Sequence, residues 1–180
     1  MNAEQLVRSD ELLEIALRVL ERDGLEAFSM GEIARAAGIK PPSLYKQFDG
    51  KADIEARLIE RGFRMQGETT QRALAALGAS PSRKTVFAML VRAYREFGVG
   101  HPQLYRLMHE RPLPATLPME VYLARSTSYR SLFDDPSAAT SFWAWAHGVL
   151  ILELAGRYEP AVDVDRIWEI LIEKVSAEIN

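Results

Sequence analysis

The sequence predicts an all-α protein, and three observations predict it. Apolar residues recur at helical spacing in nearly every segment, no convincing period-two strand pattern appears, and Gly, Pro, Ser and Asp punctuate the segments where helices should start and stop. A chain of 180 residues, 48% hydrophobic, can bury one good core and a small appended unit. The expected architecture is a three-helix head containing a helix-turn-helix, residues 1–50, followed by a larger helical bundle, residues 51–180.

The first helix carries Leu12, Ala16, Val19 and Leu20 on one stripe and is expected to close at Asp23-Gly24. In the next stretch, Phe28 to Lys51, Ser29 suits an N-cap and Glu32, three residues later, completes a capping box. Ile33, Ala34 and Ala37 share one face of a short helix, and Gly38 ends it, because Gly enters the left-handed region without a Cβ penalty. The small Ala34 and Ala37 let a second helix cross closely and steeply. That helix begins near Pro41, whose missing N–H has no partner in a first turn anyway. Leu44 and Phe48, four apart, anchor it to the core. At ~100° per residue, Lys46 then points outward, Pro42 and Ser43 lie near it, and Tyr45 and Gln47 flank.

Two short helices around a Gly turn at this spacing match a DNA-reading helix-turn-helix, with a plain helical hairpin as the alternative. The outward face carries Ser, Tyr, Lys and Gln, which all donate to phosphates or base edges. Tyr45 reads either as a ring packed beside Phe48 or, preferred, as a phosphate contact through its hydroxyl. Lys46 alone reads equally as a solvated charge, and Arg35 as a solvated or internally paired one. Lys51 opens the following helix, where its ammonium and the free backbone N–H groups can together meet a phosphate.

Downstream, a long helix is expected from Lys51 towards Leu77, weakened at Gly62 and Gly67 and stopped at Gly78. Ser80-Pro81 should cap the next, which carries Val86, Leu90, Tyr94 and Phe97. His101-Pro102 opens a shorter helix with Leu104, Tyr105 and Met108. Arg111 to Pro118 has three prolines in eight residues and must be a loop. Helices over Pro118–Leu132, Pro136–Arg157 and Val164–Ile179 complete the chain. Pro136–Arg157 is apolar on nearly all sides from Phe142 to Leu152, yet shorter than the ~20 apolar residues of a membrane span. Such a helix needs covering all round. The last helix offers Val164, Trp168, Leu171, Val175 and Ile179 as a seam, so these two helices are the expected homodimer interface, an isologous four-helix arrangement.

A net charge of −3 argues against a protein that coats nucleic acid at large. Locally, Arg35, Lys40, Lys46 and Lys51 face only Asp49 between residues 35 and 51, a small basic face on an acidic body. Only Arg8 is available as a basic N-terminal arm. The absence of cysteine excludes disulfides and thiolate chemistry, and the polar opening Met1 to Asp10 shows no signal-peptide pattern, so a cytoplasmic location is expected. The three histidines lack metal-ligand spacing, and no phosphate loop or nucleophile elbow occurs; neither an enzyme nor a bound cofactor or metal is expected.

The run Met30 to Ile33 with Ala34, Ala37, Gly38, Leu44, Tyr45, Phe48 and Lys51 resembles the signature of the tetracycline-repressor (TetR/AcrR) family of bacterial transcription regulators. Ala93 to Met108 and Phe142 to Tyr158 resemble the WHG type of regulatory domain, so the likeness spans essentially the whole chain. It implies a dimer on a palindromic DNA operator, released by a small apolar or aromatic molecule in the C-terminal domain. On that reading Ser29, Tyr45, Lys46 and Lys51 hold phosphates, while Lys40, Pro41 and Ser43 face the bases or groove edge. Pro41-Pro42 departs from the family's usual small or Gly-containing start of this helix, so base contacts differ there. Tyr105, Trp143 and His147 are candidate ligand contacts, against the alternative of plain core and a His147 satisfied internally. The competing function is the same fold working without a small ligand, through a protein partner or as an activator. An enclosed apolar cavity of a few hundred Å³, against a solid core, separates the two.

Overall fold

The structure is a computed structural model that describes the backbone of residues 3–179 and the side chains of 8–123 and 129–179; the opening Met1 to Asp10 therefore lies partly outside it. Among the described residues it contains nine helices and no strand: α1 (Ala3–Ala27), α2 (Met30–Ala36), α3 (Pro41–Leu44), α4 (Lys51–Ala75), α5 (Arg83–Gly100), α6 (Pro102–Glu110), α7 (Met119–Arg130), α8 (Pro136–Leu154) and α9 (Val164–Ser176). The all-α architecture expected from the periodicity is the one observed.

Two compact units form, one from residues up to 63 with 101–119, the other from 64–100 with 120 onward. The unit around the helix-turn-helix thus runs past residue 50. Ile54, Leu58, Ile59 and Phe63 of α4 are buried, and α6 packs on α1. Leu12, Ala16 and Leu20 of α1 join Phe28, Ile33, Leu44 and Phe48 in the same apolar interior. Gly24 bends α1 and does not stop it: at φ 76° it breaks the helical path, and one more turn runs to Ala27.

The start of α6 shows why this unit closes over distant sequence. His101 precedes Pro102 but gives no side-chain cap. The cap comes from α1, where the Glu21 carboxylate accepts from the backbone N–H of Gln103 at 3.1 Å and of Leu104 at 3.0 Å. These are two of the N–H groups that a helix start leaves without intrahelical partners. Further along, a Cβ at Gly62 of α4 would collide with the Met108 sulfur of α6, so glycine permits that close approach.

In the second unit, α5, α8 and α9 pack together. Phe87 of α5 meets the rings of Phe133 and Phe142 edge-on, at centroid distances of 6.1 and 4.7 Å. Arg95 of α5 donates to Glu153 of α8 at 2.6 Å and to Asp165 of α9 at 2.6 Å, and the Trp168 indole N–H donates to Glu153 at 2.7 Å. Several expected boundaries shift. Ser82, not Ser80, caps α5 by accepting from the Thr85 N–H at 3.1 Å. Helix α8 ends at Leu154 in a Schellman turn, with Gly156 at φ 61° and its N–H on Glu153 O.

The α9 stripe is corrected by the packing. Trp168, Leu171, Val175 and Ile179 are all buried within their own unit, against α5 and α8, and do not form a free seam. The amphipathic stripe was legible; which helices cover it was not. Helix α8 is likewise buried on one face only: Phe142, Ala146, Val149 and Leu150 point inward, while Trp145 and Leu152 are exposed.

Candidate functional site

Helix α2 starts as its sequence dictates. Ser29 is extended, at φ −148° and ψ 158°, and its Oγ accepts from the Glu32 N–H at 3.3 Å. Glu32 pairs with Arg35 one turn on, so Arg35 is internally paired. At the other end Gly38 has φ 65°; its N–H reaches Arg35 O at 3.1 Å and the Ile39 N–H reaches Ala34 O at 3.0 Å, a complete Schellman motif.

Lys40 is extended (ψ 144°), as a residue before proline must be, and α3 begins with Pro41 in its first turn. The regular helix is four residues long, shorter than the sequence suggested. After Leu44 the chain continues as a turn through Gln47, whose N–H reaches Leu44 O at 2.9 Å, and Phe48 follows that turn with its N–H on the same oxygen at 3.1 Å. Leu44 and Phe48 are nonetheless both buried, so the anchoring holds without a continuous helix. Lys40, Pro41, Tyr45 and Lys46 are exposed and Ser43 is half-buried; the Tyr45 side chain stands 56% exposed. Lys40 and Lys46 have no ion-pair partner among the described residues. An exposed tyrosine between two such lysines makes a face that donates hydrogen bonds and carries positive charge.

Lys51 is engaged within the unit. Its ammonium lies 3.7 Å from Glu55 and 5.7 Å above the Phe28 ring. Arg111 approaches the same Glu55 oxygen at 3.8 Å.

Two residues that hold this face were not singled out in the sequence. Asp53 accepts from the Asp49 N–H at 3.0 Å, closing the turn into α4, and from Arg57 at 2.9 and 3.1 Å. Burial pushes the Asp53 carboxyl up, but the Arg57 and Asp49 hydrogen bonds outweigh it and leave it below the usual value. Arg57 also donates to the buried Ser9 at 3.2 Å and lies 5.0 Å over the Phe48 ring. Asp53 and Arg57 stand four apart, a readable helix pair; nothing local marks Ser9 or Phe48 as their partners, because those contacts are made across the fold.

The second unit holds a narrow space lined by Gln66 and Thr70 of α4, Leu90 and Tyr94 of α5, Tyr129 of α7, and Phe142, Trp143 and Ala146 of α8. It leaves about 20 Å³ for the centre of a water-sized body, far from a ready-made cavity of several hundred Å³. Of the expected ligand contacts, Trp143 lines it. His147 does not; it stacks on Trp143 at 5.4 Å. Tyr105 belongs to the other unit, fully buried in its core with its ring 4.4 Å from His109. Its place in a helix adjacent in sequence says nothing about which core it joins.

Among the described residues no group of three or more His, Asp or Glu is placed to hold a metal ion, and no helix is long and apolar enough to cross a membrane. A Gly-turned pair of short helices with a donor-rich outward face, in an all-α chain with a second helical unit, defines a helix-turn-helix DNA-binding regulator.

Comparisons with known proteins make the class specific. Residues 12–58 match the family profile described as bacterial regulatory proteins, tetR family, and residues 87–175 match the tetracyclin repressor-like C-terminal domain. An uncharacterized HTH-type transcriptional regulator of Mycobacterium tuberculosis is 25% identical over 93% of this chain and 79% of its own. The HTH-type transcriptional repressor KstR2 of Rhodococcus jostii is 35% identical over 52% of this chain and 45% of its own. A TetR-family regulator from Streptomyces coelicolor shares the fold at a TM-score of 0.74, with 20% identity over 94% of this chain and 81% of that one. The chain belongs to the TetR family of bacterial transcription regulators.

Proposed function

We propose that the protein is a homodimeric repressor that occupies a palindromic operator and is released by a small apolar or aromatic molecule. The observation that carries the DNA reading is the outward face of α3, where Tyr45 and two lysines stand exposed on a buried Leu44–Phe48 anchor. Residues 1–50 read the DNA, and residues 51–180 sense and dimerise. Ser29, Tyr45, Lys46 and Lys51 hold phosphates; Lys40, Pro41 and Ser43 meet bases or the groove edge. Lys51 reaches a phosphate by leaving Glu55, which Arg111 continues to neutralise.

Dimerisation is supported by the outward face of α8. Trp145 and Leu152, two turns apart, are 42% and 44% exposed, with Gly148 between them. On α9, Ile170 is exposed as well. Large apolar groups repeated along one helix face are what a second copy covers. Two heads roughly 34 Å apart then read half-sites one turn apart. A ligand parting α4 from α8 acts on the helix whose first residue, Lys51, follows the recognition segment, and the coupling is reciprocal. In the cytoplasm, the operator and an incoming small molecule are both within reach.

Selection from a random duplex library at near-physiological salt tests the DNA reading; enrichment of one palindrome supports it. Lys46→Ala should lower the salt slope of operator binding by about 1.8, one phosphate per head at ~0.9 each. Unchanged affinity in a Tyr45→Phe, Lys46→Ala double variant refutes the assignment of that face. Trp145→Glu should convert the dimer to monomers in sedimentation. The nearly closed core favours a second reading, a regulator controlled without a small ligand, for which no ligand would weaken operator binding.

A further inference from the structure

In the space lined by α4, α5, α7 and α8, one side-chain oxygen is buried with no hydrogen-bond partner among the described residues. It is Oε1 of Gln66, a residue 4% exposed. Its backbone carbonyl is occupied, accepting from the Thr70 hydroxyl at 2.9 Å, so Thr70 has already committed its proton there. A buried amide oxygen gains about 1–3 kcal/mol from acquiring a donor, so a molecule that enters the space and donates to it is favoured. Around it stand Leu90, Phe142 and Trp143, and among the described residues no charged side chain lines the space.

We propose that Gln66 is the specificity-determining contact for the effector, which is a neutral molecule with a flat apolar body and one hydrogen-bond donor, of the phenol or aromatic N–H class. This rests on the ligand-release reading above and adds the chemistry of the ligand. The aromatic walls take the flat body. Gln66 Oε1 takes the donor. Among the described lining residues an anion finds no cation to offset its desolvation, which favours a neutral ligand over a carboxylate.

Occupation requires the walls to part, because about 20 Å³ admits little more than one water. Gln66 and Thr70 sit on α4, so the donor contact is made by the helix that must move.

The test is a thermal-shift and calorimetric comparison of 4-ethylphenol, 4-ethylanisole and 4-ethylbenzoate on the full chain and on its Gln66→Met variant. The three probes share an apolar body and differ as donor, capped donor and anion. The expected result is binding of the phenol about ten-fold tighter than the anisole, the worth of one neutral hydrogen bond, with no response to the benzoate. Gln66→Met should abolish the phenol's advantage while still binding both neutral probes. Equal binding of phenol and anisole by the wild-type chain, or a preference that survives in Gln66→Met, overturns the role of Gln66 and leaves the ligand-release reading standing. No binding of any of the three overturns the proposed effector class, while the ligand-release reading is decided by whether any ligand weakens operator binding. The wild-type comparison decides the matter even if the variant does not fold.

Discussion

Replacing Glu21 with alanine removes the cap that α1 supplies to α6. Both carboxylate oxygens accept backbone N–H groups there, at 3.1 and 3.0 Å, and His101 offers no substitute. Loss of a side-chain cap costs about 1 kcal/mol, and loss of a negative charge at a helix N-terminus adds about 0.3–1 kcal/mol. Because Glu21 is half-buried, water replaces part of the second bond, so the total should be about 1.5–3 kcal/mol. A glutamine side chain retains one acceptor oxygen and no charge, so Glu21→Gln should lose about half of that. The assay is amide hydrogen exchange at Gln103 and Leu104, backed by urea unfolding followed by circular dichroism. Two compact units need not unfold together, and exchange reports on α6 itself. A loss of about 1.4 kcal/mol speeds exchange about ten-fold. Unchanged exchange at both amides, with a urea midpoint equal to the wild type, refutes the claim that Glu21 holds α6. Helix α1 also packs on α2, so the same variant tests whether α6 steadies the recognition unit.

Four further outcomes are expected. Ser29→Ala should lower stability by about 1 kcal/mol in urea, whereas Ser29→Asp keeps the cap and weakens operator binding through repulsion of phosphate. Gly98→Ala should destabilise, because its Cβ would collide with Leu150 Cδ2 and lie 3.1 Å from Cγ; overpacking of about 1–3 kcal/mol exceeds a helix-propensity gain of about 1 kcal/mol. Gly67→Ala meets nothing within 4 Å and should raise the melting temperature, being worth about 0.5–1 kcal/mol. Asp53 has a folded pKa below its ordinary 3.8, so its contribution is complete above that value and is lost as pH falls through the folded pKa. Asp53→Asn should accordingly be less stable than wild type at about pH 6, with the gap closing below about pH 3.8 in pH-dependent urea titrations.

The packing decided several matters that local pattern left open. Helix α3 is shorter than its signature suggests, yet Leu44 and Phe48 are buried as expected, because anchoring depends on where side chains land and not on how far regular hydrogen bonding runs. Gly24 was expected to end α1 and bends it instead. Sequence shows that a glycine breaks the path; whether the chain resumes its helix depends on what packs beyond it.

What the sequence by itself determined is what local physics controls: the helical class, the Ser29 cap, the Gly38 turn, the proline start of α3 and the family signature. These rest on side chains within one or two turns of each other. Only the tertiary structure decided that the α9 stripe is covered within its own unit, that Tyr105 joins the core beside α1 while Trp143 lines the other, that Glu21 caps α6, and that Gln66 is buried with no partner for its Oε1 among the described residues. An apolar stripe tells a helix to bury one face but names no partner, and a polar residue in a helical pattern carries no mark of whether its neighbours in space will satisfy it.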